Sequence, residues 1–344
     1  MMRREMNRFG KRIAAWLALA VLVVALAACG TNTEPSDTVQ QATNATNESN
    51  HEQGAKAGEG KAADTRTVTD DLQREVDIPT APERVIVSDF SSEVLAAGVS
   101  PIAVGNNDQK IIYTQSLLKA ADTIGDPPSV EKILELQPDL ILMSTVMQQI
   151  YPEIMEQIEK IAPLAYISFE QDPVYDIFPK IADWVGKPEE AKRWIAEYEQ
   201  EAQAAREQVK EALGEQTVSI FRIEKGRLRI YVNRNFAGYM LYRGLKAHPP
   251  AAVADEIAKS EFASAVEISL EKLHDYAADH MFLIVRDTAD DQGAYEEIQK
   301  SALWKSLPAV QKGQIHLLDT DKYYGSDIAT IRETMKEAAA MLTE

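Results

Sequence analysis

A short pattern occurs twice in this 344-residue chain, 140 residues apart. Ser129-Val-Glu131-Lys132-Ile133 leads to Pro138-Asp139-Leu-Ile-Leu142, and Ser269-Leu-Glu271-Lys272-Leu273 leads to Ala278-Asp279-His-Met-Phe-Leu-Ile-Val285. Each copy reads as a short helix, a turn ending in Asp, and a buried apolar strand. The Ser, Glu, Lys and Asp align without a gap. A duplicated helix–strand element at this spacing predicts two similar α/β lobes rather than one large domain. Two lobes with a cleft between them suggest binding.

The first thirty residues stand apart from that pattern. Arg3, Arg4, Arg8, Lys11 and Arg12 form a basic start, Ile13 to Leu26 is apolar, and Leu26-Ala27-Ala28-Cys29 ends the segment. This is the layout of a secretory signal over residues 1–28. Leu-Ala-Ala-Cys resembles a bacterial lipobox, which implies cleavage before Cys29, lipidation of its sulfur, and a chain anchored to the outer face of the cell membrane. Cys29 is the only cysteine, so no internal disulfide and no cysteine-based metal site or nucleophile is expected. From Cys29 to residue 64 the chain is rich in Thr, Asn, Glu, Gln, Ser and Gly and holds one valine, the composition of a tether that cannot form a core. Without the signal, 31 Lys and Arg face 53 Asp and Glu, a net charge of −22 that does not suit nucleic acid.

The remaining chain divides into an N-terminal α/β lobe over residues 65–174, a helical connection over 175–214 and a C-terminal α/β lobe over 215–344. Arg84 to Ser88 reads as the first core strand, followed by a helix that Ser91 or Ser92 can cap. Gly105-Asn106-Asn107-Asp108 is a turn cluster after a second strand. Glu189 to Leu213 has no Gly or Pro, and Trp194, Ile195, Tyr198, Ala202, Ala205, Val209 and Leu213 give it one apolar face. A single rigid helix between lobes predicts modest closure on a ligand. Thr217 to Ile223 and Leu228 to Val232, around Glu224-Lys225-Gly226, read as a hairpin.

From about Val68 onward the chain resembles the substrate-binding lipoproteins of iron–siderophore and vitamin B12 ABC transporters. The stretches that carry this are Ile78-Pro-Thr-Ala-Pro82-Glu-Arg84-Val, Glu131-Lys-Ile-Leu-Glu-Leu-Gln-Pro138-Asp139-Leu-Ile and Leu303-Trp304-Lys-Ser-Leu-Pro-Ala309-Val-Gln-Lys-Gly313. The resemblance implies two Rossmann-like lobes joined by one long helix (the class III periplasmic-binding-protein arrangement), a ligand in the groove between them, and no enzymatic activity. It also implies that Glu131 and Glu271 dock on arginines of the permease subunits, a role that an exposed carboxylate can fill by accepting a bidentate pair. A carboxylate in a helix's first turn is also favoured by the helix dipole alone.

A ferric siderophore arrives with its iron already chelated, so the protein needs no metal ligands or cofactor. It needs cations, hydrogen-bond donors and aromatic faces. By the family match, Arg222, Tyr231, Arg234 and Tyr239 are expected to contact the ligand. Arg286 follows the strand Met281 to Val285, and Asn107 follows a lobe-one strand, both at carboxyl ends where α/β lobes bind ligands. The arginines favour an anionic ferric chelate over neutral vitamin B12, which remains an alternative, as does haem. A bare-metal carrier is disfavoured because lobe one holds no histidine. A lipoprotein enzyme is a further alternative, but no Gly-x-Ser-x-Gly, P-loop or His-Glu-x-x-His occurs. The expected partners are a ferric siderophore, the permease and the membrane, with the receptor itself a monomer.

Overall fold

Runs of three to five apolar residues with no polar alternation make strands buried on both faces, and such strands assemble as parallel sheets under helices. The computed structural model of the protein describes residues 64–234, 237–323 and 325–344. Cys29 with its signal and tether, Phe236 and Tyr324 lie outside the described residues. An antiparallel ribbon of β1 (Thr65–Thr69) and β2 (Glu75–Pro79) precedes lobe one. The lobe-one strands are β3 (Val85–Val87), β4 (Ala103–Val104), β5 (Asp122–Thr123), β6 (Leu140–Ser144) and β7 (Leu164–Ile167). They form a five-stranded, wholly parallel sheet in the order β5-β4-β3-β6-β7.

Lobe two holds β8 (Val218–Glu224), β9 (Arg227–Tyr231), β10 (Ala265–Ile268), β11 (His280–Val285) and β12 (Ile315–Leu318) in the order β10-β9-β8-β11-β12. Here β8, β11 and β12 run parallel, while β9 and β10 are antiparallel additions. The β8–β9 hairpin turns on Lys225 and Gly226 alone, with φ of 53° and 68°. Left-handed values at both central residues match the right-handed twist of the flanking strands.

The duplicated pattern occupies equivalent places in the two sheets. Ser129 caps the Val130–Leu136 helix by accepting from Lys132 N at 3.2 Å. The second copy is shorter-wound, a 3₁₀ turn Leu270–Lys272 followed by the helix Leu273–Tyr276. In both copies the final Asp pins the strand next door. Asp139 accepts from the amides of Glu83 and Arg84 at 2.7 and 2.9 Å, just ahead of β3. Asp279 accepts from the Thr217 amide at 3.0 Å and hydroxyl at 3.1 Å, just ahead of β8.

The Pro188–Leu213 helix spans 26 residues, about 39 Å at 1.5 Å each. Proline at its first turn costs no hydrogen bond, because that N–H has no intrahelical acceptor. It buries Ala191, Tyr198, Ala202, Ala205, Val209 and Leu213. The last helix, Ile328–Thr343, packs along it, and Arg332 clasps Glu201 through Nε at 2.8 Å and Nη2 at 2.5 Å. The two sheets are thus carried by lobes joined through one long helix. His280 and His316 stack at the β11–β12 border, 3.3 Å apart between ring nitrogens, and burial lowers the pKa of each. Among the described residues no three His, Cys, Asp or Glu side chains are grouped to hold a metal ion.

Candidate functional site

The carboxyl ends of β3 and β4 are tied together by one buried carboxylate. Asp108, fully buried, accepts from the amides of Asp89 (2.9 Å), Ser91 (2.9 Å) and Gly105 (3.1 Å). The cap expected from Ser91 or Ser92 is therefore absent. The helix Ser91–Ala96 starts at Ser91 itself with no side-chain cap, and Asp108 reaches in from the next loop to take the first free N–H. Ser92 instead accepts from Ala329 N at 3.1 Å, at the start of the last helix. Gly105 is required for this closeness, since a Cβ there would stand 2.4 Å from Ser88 Oγ and 3.1 Å from Asp108 Oδ2. Burial pushes the Asp108 carboxyl up to about 6.

Asp89 has φ of 75°, a conformation that costs a non-glycine residue free energy and is frequent at binding sites. Its carboxylate accepts from Ser144 Oγ at 2.7 Å and Asn107 Nδ2 at 3.2 Å, so three strand ends meet on one side chain. Phe90 and Phe169 lie 5.0 Å apart between ring centroids beside it.

These groups wall an open hollow between the lobes. Lobe one supplies Asp89, Phe90, Glu93, Asn107, Asp108, Ile111 and Phe169. Arg234 and the segment Gly325–Ser326–Asp327 supply the opposite side. Glu93 Oε1 accepts from Ile328 N at 3.2 Å, tying the last helix to lobe one at the floor. Burial first, and then the neighbouring Asp327, raise the Glu93 pKa well above the ordinary carboxylate range. Asp327 caps the same helix through Thr330 N at 3.0 Å. A second open hollow shares Asp89, Asn107 and Phe169 and continues past Val146, Ile150, Tyr151 and Asp126. The arrangement suits a rigid, partly apolar guest seated on aromatic faces and held by a few polar groups.

Of the residues singled out for ligand contact, Asn107 and Arg234 line the hollow. Arg222, Tyr231, Tyr239 and Arg286 line neither cavity. Arg222 is 3% exposed, donates to Tyr231 Oη at 3.1 Å and lies 3.4 Å from Glu224. The β8–β9 register sets Arg229 opposite Arg222, and β11 delivers Arg286 alongside, so all three arginines converge on Glu224. Arg286 also pairs with the buried Asp291 at 2.7 Å. The positive charge that favoured an anionic ligand is thus largely offset within lobe two. Tyr239, 1% exposed, donates to Asp172 Oδ1 at 2.8 Å, and Arg243 takes Oδ2 of the same carboxylate at 2.8 Å. That cluster fastens the lobes to each other. Tyr323 is buried and donates to Glu337 at 3.1 Å.

Glu131 and Glu271 are both exposed, on equivalent elements of different lobes. Neither forms an ion pair among the described residues. A hydrogen bond from the Ser269 hydroxyl and its own amide hold the Glu271 carboxyl below its usual range.

Asp108 and Glu93 were not anticipated. An acid in a turn just after a strand, and an acid directly ahead of the apolar stretch Val94-Leu95-Ala96-Ala97, are the signals that point to buried carboxylates.

The chain is 27% identical to the iron(3+)-hydroxamate-binding protein FhuD of Bacillus subtilis over 345 residues, covering 98% of this chain and 100% of that one. It is 28% identical to the probable siderophore-binding lipoprotein YfiY of the same organism, covering 78% of this chain and 85% of the relative. Among solved structures it superposes on a FhuD fold-family periplasmic binding protein of a ferrichrome ABC transporter from B. subtilis. There the TM-score is 0.71 at 26% identity, with 80% of this chain and all of that one covered. The family model described as periplasmic binding protein matches residues 87–322, which takes in most of both lobes and the helix between them. With two α/β lobes on one long helix and a hollow at the strand ends, this chain belongs to the periplasmic binding protein family, substrate-binding proteins rather than enzymes.

Proposed function

We propose that the protein captures a ferric siderophore in the hollow between its lobes and delivers it to an ABC permease, working at the outer face of the membrane to which Cys29 anchors it. The observation that carries this is the hollow itself, set at the carboxyl ends of the lobe-one strands and lined by Phe90, Phe169, Asn107 and Arg234. It has aromatic faces for organic arms and polar groups for chelate oxygens, and the relatives named for hydroxamate and siderophore binding span almost the whole chain. Arg234 and Asn107 are the contacts assigned to the chelate. Arg222, Tyr231, Tyr239 and Arg286 act through the lobe-two strand ends and the inter-lobe joint. Glu131 and Glu271 are assigned to the permease, because the duplicated element presents both carboxylates to solvent without an ion-pair partner among the described residues.

The test is a titration of the soluble protein from Asp64 onward, read by the fluorescence of Trp184, Trp194 and Trp304. Ferric hydroxamate, ferric catecholate, ferric citrate-type chelates and cobalamin are compared in parallel. Saturable quenching by one ferric class at sub-micromolar concentration is the expected result. Saturation by cobalamin alone would keep the receptor and replace its ligand, and no response to any of them would remove the proposal.

A further inference from the structure

The short helix that follows β6 is turned the wrong way round for a surface helix. Thr145–Ile150 presents Val146 and Ile150 to solvent, 38% and 58% exposed, while its polar neighbour Gln148 is half-buried. Four residues apart, the two aliphatic side chains share one face. The usual arrangement puts apolar residues inward and polar ones outward, so a bare aliphatic pair on one face points to something that covers it. Its place in the fold says what that is. Val146 and Ile150 line the second hollow, together with Met147, Tyr151 and Phe169. Tyr151 is held there by donating to Asp126 Oδ1 at 2.8 Å. Asp89, Asn107 and Phe169 line both hollows, so the second is a continuation of the first and not a separate groove.

We propose that the second hollow is a subsite for an aliphatic arm of a ferric hydroxamate chelate, with Val146 and Ile150 as the side chains that bury it. This rests on the receptor reading above and narrows its ligand. A hydroxamate carries its acyl chain on the carbon of the iron-bound carbonyl, so the arm leaves the complex right beside the chelate oxygens. With the iron centre in the first hollow, an arm that extends past Asn107 and Phe169 enters the second. Polar groups then meet the chelate oxygens, and aromatic and aliphatic surface meets the hydrocarbon. Every residue lining the second hollow comes from lobe one, so the subsite is formed without closure of the lobes. Each methylene fully withdrawn from water raises affinity about fourfold, and a partly covered one less.

The experiment holds the iron coordination and the charge constant and varies only the arm. Three iron(III) complexes of one linear trihydroxamate are titrated into the protein, with an acetyl, a butanoyl or a hexanoyl group on the terminal hydroxamate. Affinity is expected to rise along the series, at least tenfold from acetyl to hexanoyl. Val146→Ser combined with Ile150→Ser is expected to bring that ratio below threefold, and Ile150→Leu alone to preserve it. Both positions are exposed, so the thermal midpoint should change little in either variant. Equal affinities across the series overturn the subsite while leaving the receptor reading intact. A ratio that survives the double substitution overturns the assignment to Val146 and Ile150. Binding of none of the three overturns the proposal, and the titration with four chelate classes described above then decides the receptor reading on its own.

Discussion

Asp108→Ala is expected to destabilise the protein by about 2–4 kcal/mol at neutral pH, and by more at pH 5. Two opposing effects set that figure. Removing the carboxylate leaves the amides of Asp89, Ser91 and Gly105 without an acceptor in a fully buried place, at about 1–3 kcal/mol each. Against this, the native protein carries the cost of holding a charge there, roughly 3 kcal/mol for a shift of about two pKa units. The folded-state pKa, about 6, lies above the ordinary aspartate value of 3.8. The stability this group contributes is therefore fully present below pH 3.8 and lost as pH rises through 6. The substitution must accordingly cost more in acid than at neutrality. Denaturant unfolding at pH 5 and pH 7.5 measures both numbers. A cost under 1 kcal/mol, or one that grows with pH, contradicts the assignment of Asp108 as the acceptor that holds the strand ends. Because Asp89, Phe90 and Asn107 sit on those ends, ligand affinity should fall along with stability.

The second large effect separates capture from delivery. With Glu131→Ala and Glu271→Ala combined, cellular uptake of radioactive iron from a ferric siderophore is expected to fall at least 100-fold, while the purified protein binds the chelate within twofold of the parent. Losing a buried, hydrogen-bonded charge pair at an interface costs about 2–5 kcal/mol, and two such losses exceed the 100-fold threshold. Both side chains are exposed, so little change in stability accompanies the loss. Either single substitution should give an intermediate rate. Normal uptake by the double variant removes the docking assignment, and weakened ligand binding places these residues in the wrong half of the function.

The two lobes and their joint were legible because the signals were local. Ser129 to Asp139 and Ser269 to Asp279 repeat without a gap, and the long helix announces itself by 25 residues free of Gly and Pro. What the repeated Asp does was not legible, since its partners at Glu83–Arg84 and Thr217 are set by strand order rather than by sequence distance. The strand β10 escaped notice because four half-exposed edge residues carry too short an alternation to register. The site was read less well than the fold. Arg222 looked like a strand-end cation awaiting a ligand. Yet Glu224 stands two residues on and so shares its face of the strand, a period-two neighbour that already predicted an internal pair. Asn107 was singled out by its position after a strand and Arg234 by the family match, and both line the hollow. The carboxyl-rich lining was missed because Glu93, Asp108 and Asp327 come from three separate segments, and only the folded chain brings them together.

The central claim is that the iron chelate sits between Phe90, Phe169 and Arg234, at the carboxyl ends of the lobe-one strands. Crystals of the protein grown with its ferric chelate, measured at the iron absorption edge, locate the metal without reference to the protein's own density. The expected result is a single anomalous peak inside that hollow, with no protein atom in its coordination sphere. A peak elsewhere, at the Arg222–Glu224–Arg286 cluster or on the outer face of either lobe, would contradict the account.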